Sequence, residues 1–99
     1  SRFALASSRA RLERIQYGLE VFYLEKGRFP RSLEVLAQGE FLSEKSLLDP
    51  WGQKYHFEIL DIGYRLWGTD ASGQIPSELN FEYRFPRARS GVTEIAYRP

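Results

Sequence analysis

Residues 3–26 contain no proline and a single glycine, Gly18, while apolar residues fall at Leu5, Leu12, Ile15, Leu19 and Phe22. Spacings of seven, three, four and three trace one stripe of an α-helix. Tyr17, Val21 and Leu24 add a second stripe, so the reading expects the apolar face to widen toward the C-terminal end. The stretch from Ser1 to Arg11 is thinner in large apolar groups and richer in Ala and Ser. A helix with one buried half and one bare half fits an element that continues beyond its domain. The chain begins abruptly inside this helix and contains no Met, so the natural N-terminus is expected upstream of Ser1. Gly27 suits the helix stop, and Pro30 follows three residues later.

Beyond Pro30 the pattern shortens. Ser32 fits an N-cap with Glu34 in the first turn; Leu33, Leu36 and Ala37 make a short apolar face that Gly39 ends. Phe41 and Leu42 return to the core. Asp49-Pro50-Trp51-Gly52 predicts a turn, because Asp, Pro and Gly suit its first, second and fourth positions. Tyr55, Phe57 and Ile59 alternate with Lys54, His56 and Glu58, the period of a half-buried strand. Asp61-Ile62-Gly63 turns the chain into a returning strand, in which Tyr64, Leu66 and Gly68 alternate with Arg65 and Trp67. Gly68 to Asn80 reads as a long loop. Phe81, Tyr83 and Phe85 predict a third strand and residues 92–97 a fourth. No internal repeat is read. The predicted fold is α+β: one domain over 1–99, with a long amphipathic helix (1–28) packed on an antiparallel sheet of three or four strands (54–99). A connecting region with a short helix (29–53) joins them.

Composition narrows the chemistry. The 99 residues are 42% hydrophobic and 27% charged, ordinary for a folded domain with one modest core. With no Cys and one His, disulfides, thiolate metal sites, thiol nucleophiles and multi-histidine sites are excluded. No apolar run reaches the roughly 20 residues that span a bilayer, and no signal peptide is visible. The net charge of +1 is uneven: residues 1–28 carry +3, residues 29–80 carry −4 and residues 81–99 carry +2. A basic helix beside an acidic middle favours head-to-tail contact between copies, although solvated surface charge gives the same pattern.

Two motifs then stand together. Tyr23-Leu24-Glu25-Lys26-Gly27-Arg28-Phe29-Pro30 closes the helix, and Asp49-Pro50-Trp51-Gly52-Gln53-Lys54-Tyr55 precedes Tyr64-Arg65-Leu66-Trp67-Gly68-Thr69-Asp70. In this order, over residues 10–73, they resemble the globular part of type II secretion major pseudopilins and related type IV pilin-like proteins. The resemblance implies a structural filament subunit and no enzymatic activity. It implies an upstream prepilin signal and an apolar membrane helix outside this sequence, with the globular domain in the periplasm or on an extracellular filament. The implied partners are other copies, related pilin-like subunits and an inner-membrane assembly platform. Leu5, Leu12, Ile15 and Leu19 are the candidates for helix packing, toward the sheet or toward a neighbouring copy. Secretion pseudopilins usually hold calcium in the loop after the second strand. Here Asp70, Ser72 and Glu78 are the candidate ligands, with only two carboxylates among them and a chain that continues into two more strand-like segments. That departure leaves a type IV minor pilin open as well.

The remaining polar residues carry less. Gly27, Pro30, Asp49, Pro50, Trp51 and Gly52 read first as structural turn residues. His56 has no nucleophile arrangement beside it. Arg84, Arg87, Arg89 and Arg98 interleave with Phe81, Tyr83, Phe85 and Tyr97, the pattern of a binding module for DNA or for a secreted substrate. The small net charge speaks against nucleic acid.

Overall fold

The computed structural model describes residues 1–84, so the expected fourth strand lies outside the described residues. Helix α1 runs from Arg2 to Lys26. The Ser1 hydroxyl accepts a hydrogen bond from the Ala4 N–H at 3.2 Å. At the other end Gly27 takes φ 77°, and its N–H donates to the Tyr23 carbonyl at 2.8 Å. A side chain there would be strained, so Gly27 stops the helix as read.

Leu12, Ile15, Leu19 and Phe22 are buried along one face of α1. The second stripe does not join them: Tyr17 is 68% and Leu24 84% exposed, so the buried face stays narrow. Helix α2 spans Leu33–Gln38 and buries Leu33 and Leu36. Ser32 stands at its N-cap position without a side-chain capping bond. Gly39 follows the last turn but keeps φ −88°, and Glu40 carries the left-handed conformation at φ 64°. A Cβ at Gly39 would lie 2.9 Å from the Phe41 ring, so a side chain there would push that ring aside.

A 3-10 turn at Glu44–Leu47 leads to the Asp49 turn. Three strands follow, β1 (His56–Leu60), β2 (Gly63–Trp67) and β3 (Asn80–Arg84), in the order β1-β2-β3 and all antiparallel. Register pairs Phe57 with Leu66 and Leu66 with Phe81, so these residues share the face turned to α1. Tyr55, Tyr64 and Leu66 are buried there, whereas Ile59, at the far end of β1, is 49% exposed. Gly63 lets β3 approach closely, because a Cβ at this position would overlap the Tyr83 carbonyl. The segment read as a plain loop contains a second 3-10 turn, Ser77–Leu79, whose Leu79 is fully buried against α1. The architecture is thus α+β, one long helix across a three-stranded antiparallel sheet.

Candidate functional site

The long helix carries the four packing candidates, Leu5, Leu12, Ile15 and Leu19, and its two sides differ. Leu12, Ile15 and Leu19 have no exposed surface. They pack on the sheet and the two 3-10 turns, so they are not available to a neighbouring copy, which corrects their place among candidates for contact between copies. Leu5 is half-buried at the margin of the same cluster. The outward side carries Phe3, 88% exposed, together with Tyr17 and Leu24. Ala10 is exposed between Phe3 and Tyr17. Positions 3, 10, 17 and 24 recur every seven residues, so they follow one line along the helix. The spacing was visible in the sequence. Its direction relative to the core was not, because Tyr17 and Leu24 also fit a widened inner face.

Charged side chains border this line. Arg2 and Arg9 stand beside its N-terminal half, Glu13 and Glu20 beside its C-terminal half, and all are exposed. Arg9 Nε meets Glu13 Oε2 at 3.4 Å, and its guanidinium lies 5.9 Å from the Phe81 ring centroid. Arg11 is held differently, donating to the Leu48 carbonyl at 2.8 Å. It therefore fastens the connecting region to α1.

The two acidic loops share one geometry. In the first, Asp49 Oδ1 accepts from the N–H groups of Trp51 (2.9 Å) and Gln53 (2.8 Å). In the second, Asp70 Oδ1 accepts from the N–H groups of Ser72 (2.9 Å) and Gln74 (3.0 Å), and from the Ser72 hydroxyl at 2.6 Å. Each loop is closed by an N–H of its Asp donating to the carbonyl of its Gln, at 2.7 Å and 2.8 Å. Each places a glycine fourth with positive φ, Gly52 at 85° and Gly73 at 92°. The loops touch through Thr69 Oγ1 and Gln53 Oε1 at 3.2 Å. Both sequences read Asp-x-x-Gly-Gln, a five-residue turn used twice. The Ser72 hydroxyl, followed by the backbone N–H bonds, holds the Asp70 carboxyl below its ordinary range.

For the expected calcium set this means that Asp70 and Ser72 come together, with one Asp70 oxygen already accepting three hydrogen bonds. Glu78 lines a shallow depression with Arg2, Leu5, Ala6 and Arg9 beside the start of α1. Among the described residues no three His, Asp or Glu side chains gather as a metal-holding group. Of the turn residues, Pro30 and Asp49 are buried, and Pro50 and Trp51 are half-buried, where structural roles place them.

The opposite face of the sheet carries an aromatic stack. His56 lies against Trp67 with ring centroids 5.2 Å apart and an interplanar angle of 17°, and the Arg65 guanidinium sits 4.3 Å from the Trp67 ring. His56 is exposed and paired across strands with Trp67, as its alternation predicts. At the C-terminal end of α1, Tyr23, Phe29, Tyr64 and Tyr83 gather around a cavity of about 430 Å³ that also touches Glu20 and Leu24. The Phe29 ring meets Tyr64 edge-on at 5.1 Å. Burial, first, raises the Tyr64 phenol above its ordinary range.

Of the Arg and aromatic residues read as a binding strip, Arg84 pairs with Glu82 on its own strand. Phe85, Arg87, Arg89, Tyr97 and Arg98 lie outside the described residues. Among the described residues no helix is long and apolar enough to cross a membrane. Comparison with protein-family models, with curated proteins and with solved structures finds no match to this chain.

Proposed function

We propose that this chain is a structural subunit of a pilin-like filament, a pseudopilus or a type IV pilus, serving protein secretion or pilus assembly. The observation that carries the reading is the division of α1. Its inner stripe is consumed by the sheet, while Phe3, Tyr17 and Leu24 stand 88%, 68% and 84% exposed on the outer side. Isolated exposed apolar residues are common. A repeated series along a helix of 25 residues is better explained by a surface that other protein covers. The ordered motifs around Gly27 and Asp49 support the same reading.

In this proposal α1 continues an upstream membrane helix, the globular domain faces the periplasm, and the partners are other copies and an inner-membrane assembly platform. The work is packing, not catalysis. The coding sequence immediately upstream of Ser1 tests it. The expected result is a short basic leader ending in Gly, then an apolar stretch of about 20 residues with a Glu near its start. An upstream region without that apolar stretch would overturn the filament reading. It would favour the binding-module reading, to be tested by salt-dependent DNA binding.

A further inference from the structure

We propose that the aromatic cavity at the C-terminal end of α1 binds a quaternary ammonium group, with free choline-type cations as its ligand class. The rings of Tyr23, Phe29, Tyr64 and Tyr83 line a space of about 430 Å³ together with Leu24 and Glu20. They come from four parts of the fold. Helix α1 supplies Tyr23, the segment after Gly27 supplies Phe29, and β2 and β3 supply Tyr64 and Tyr83. This site stands whether or not the chain assembles into a filament.

Tyr64 and Tyr83 lie side by side across the strands, with centroids 5.5 Å apart and planes at 29°. Phe29 stands nearly perpendicular to both, at 78° and 81°. The rings therefore form a corner and not one flat stack. Tyr23 extends the Phe29 side, with centroids 4.8 Å apart. Ring faces carry partial negative charge and attract cations. Among the described residues the one charged side chain lining this cavity is Glu20, which has the same sign. Burial, first, raises the Tyr64 phenol against the Gln16 hydrogen bond, and the Glu20 charge adds to the rise, so the field of that carboxylate reaches the rings.

The lining also selects among cations. A primary ammonium brings three N–H donors that ring faces satisfy poorly, whereas a quaternary ammonium brings none. An anionic arm on the ligand would meet Glu20, so choline fits better than phosphocholine. Entry is from the exposed rim of Glu20 and Tyr83, the latter 40% exposed, toward the buried Tyr64.

The test titrates the 99-residue chain with choline at constant ionic strength, following the aromatic ring protons and the choline methyl signal. Parallel titrations use the neutral alcohol in which carbon replaces the choline nitrogen, phosphocholine, and methylguanidinium. The expected result is a saturable shift confined to the four rings and a methyl signal moved upfield by them. Choline should bind about tenfold more tightly than the neutral alcohol, and phosphocholine more weakly than choline. Glu20→Gln, at an exposed position, should weaken choline several-fold and leave the alcohol unchanged. Tyr83→Leu keeps an apolar strand residue and should weaken choline more than the alcohol, with thermal unfolding confirming that both variants fold.

Equal binding of choline and the alcohol would make this an ordinary apolar pocket and overturn the proposal. Tighter binding of phosphocholine would place a basic group at the rim, and tighter binding of methylguanidinium would make an arginine side chain the natural occupant; either would overturn the ligand class. The absence of a saturable choline shift, or a shift that survives Glu20→Gln undiminished, would overturn the site itself.

Discussion

The hydroxyl of Tyr55 lies 2.8 Å from the hydroxyl of Ser8 and donates to the Ser8 carbonyl at 3.2 Å, joining residues 47 apart in the sequence. Ser8 is the one fully buried polar side chain of α1, and Tyr55 is 5% exposed just before β1. The pair fixes the height at which the helix crosses the sheet, because an apolar contact tolerates sliding and a buried hydrogen bond does not.

Tyr55→Phe is therefore expected to cost about 1–2 kcal/mol, and Ser8→Ala a similar amount. The double variant should cost clearly less than the two together, since each removes the same bond. Denaturant titration of the four proteins measures this. Additive losses would mean that the two hydroxyls do not act on each other.

The twin turns differ in burial, and that difference predicts different outcomes for the same substitution. Asp49 is 3% exposed and its carboxylate satisfies the Trp51 and Gln53 N–H groups. Asp49→Ala leaves those donors short of a partner and should destabilise the fold by about 1–3 kcal/mol. Asp70→Ala opens an exposed loop to water, and the expected change is faster amide exchange over residues 70–74 with little movement of the global midpoint. The hydrogen bonds hold the Asp70 pKa below its ordinary 3.8. Its contribution is thus complete above that value and lost as pH falls through the lower folded value. Asp70→Asn should abolish this acid-side loss, checked by exchange of the loop amides between neutral and acid pH.

Two buried phenols give an alkaline counterpart. Burial, first, raises Tyr55 above its ordinary 10.0, with the Ser8 hydrogen bond opposing, and burial likewise raises Tyr64. A raised folded pKa contributes stability that is complete below the unfolded value and lost as pH rises through the folded one. The fold should weaken above about pH 10 as unfolding releases these phenolic protons. Tyrosinate absorbance should rise late for Tyr55 and Tyr64, and Tyr64→Phe should remove one late group while flattening the alkaline loss of stability.

The helix, the Asp49 turn and the β1–β2 hairpin were legible because each has a local cause: apolar spacing, a glycine at a left-handed position, strict alternation. Three features were not. The outward direction of Tyr17 and Leu24 depends on how much of the helix the sheet covers, and the three described strands cover only one narrow stripe. Leu79 was hidden in a polar loop because its burial comes from folding back on α1, with no neighbours in sequence to mark it. The likeness of the Asp70 loop to the Asp49 loop went unread because the resemblance drew Asp70, Ser72 and Glu78 together as candidate calcium ligands. Its match to the Asp49 loop lies in the shared Gly and Gln, and in both loops the carboxylate serves backbone N–H groups.

Leu19 and Leu24 are five residues apart on α1 and have opposite surroundings, none of Leu19 exposed and 84% of Leu24. Leu19→Ala removes buried methyl groups from a core with Leu12, Ile15 and Leu36 nearby, and should cost about 2–5 kcal/mol. Leu24→Ala trims a largely exposed side chain that only edges the aromatic cavity, and should leave the midpoint within about 0.5 kcal/mol. The filament reading adds a second expectation. In the full-length chain Leu24→Ala, and more strongly Phe3→Asp with Leu24→Asp, should reduce the sheared and pelleted filament fraction while the domain's thermal midpoint stays unchanged. Leu19→Ala should lower both together. Fractionation beside thermal unfolding separates the two effects, and an unchanged pellet for the Asp pair would show that the exposed line carries no contact between copies.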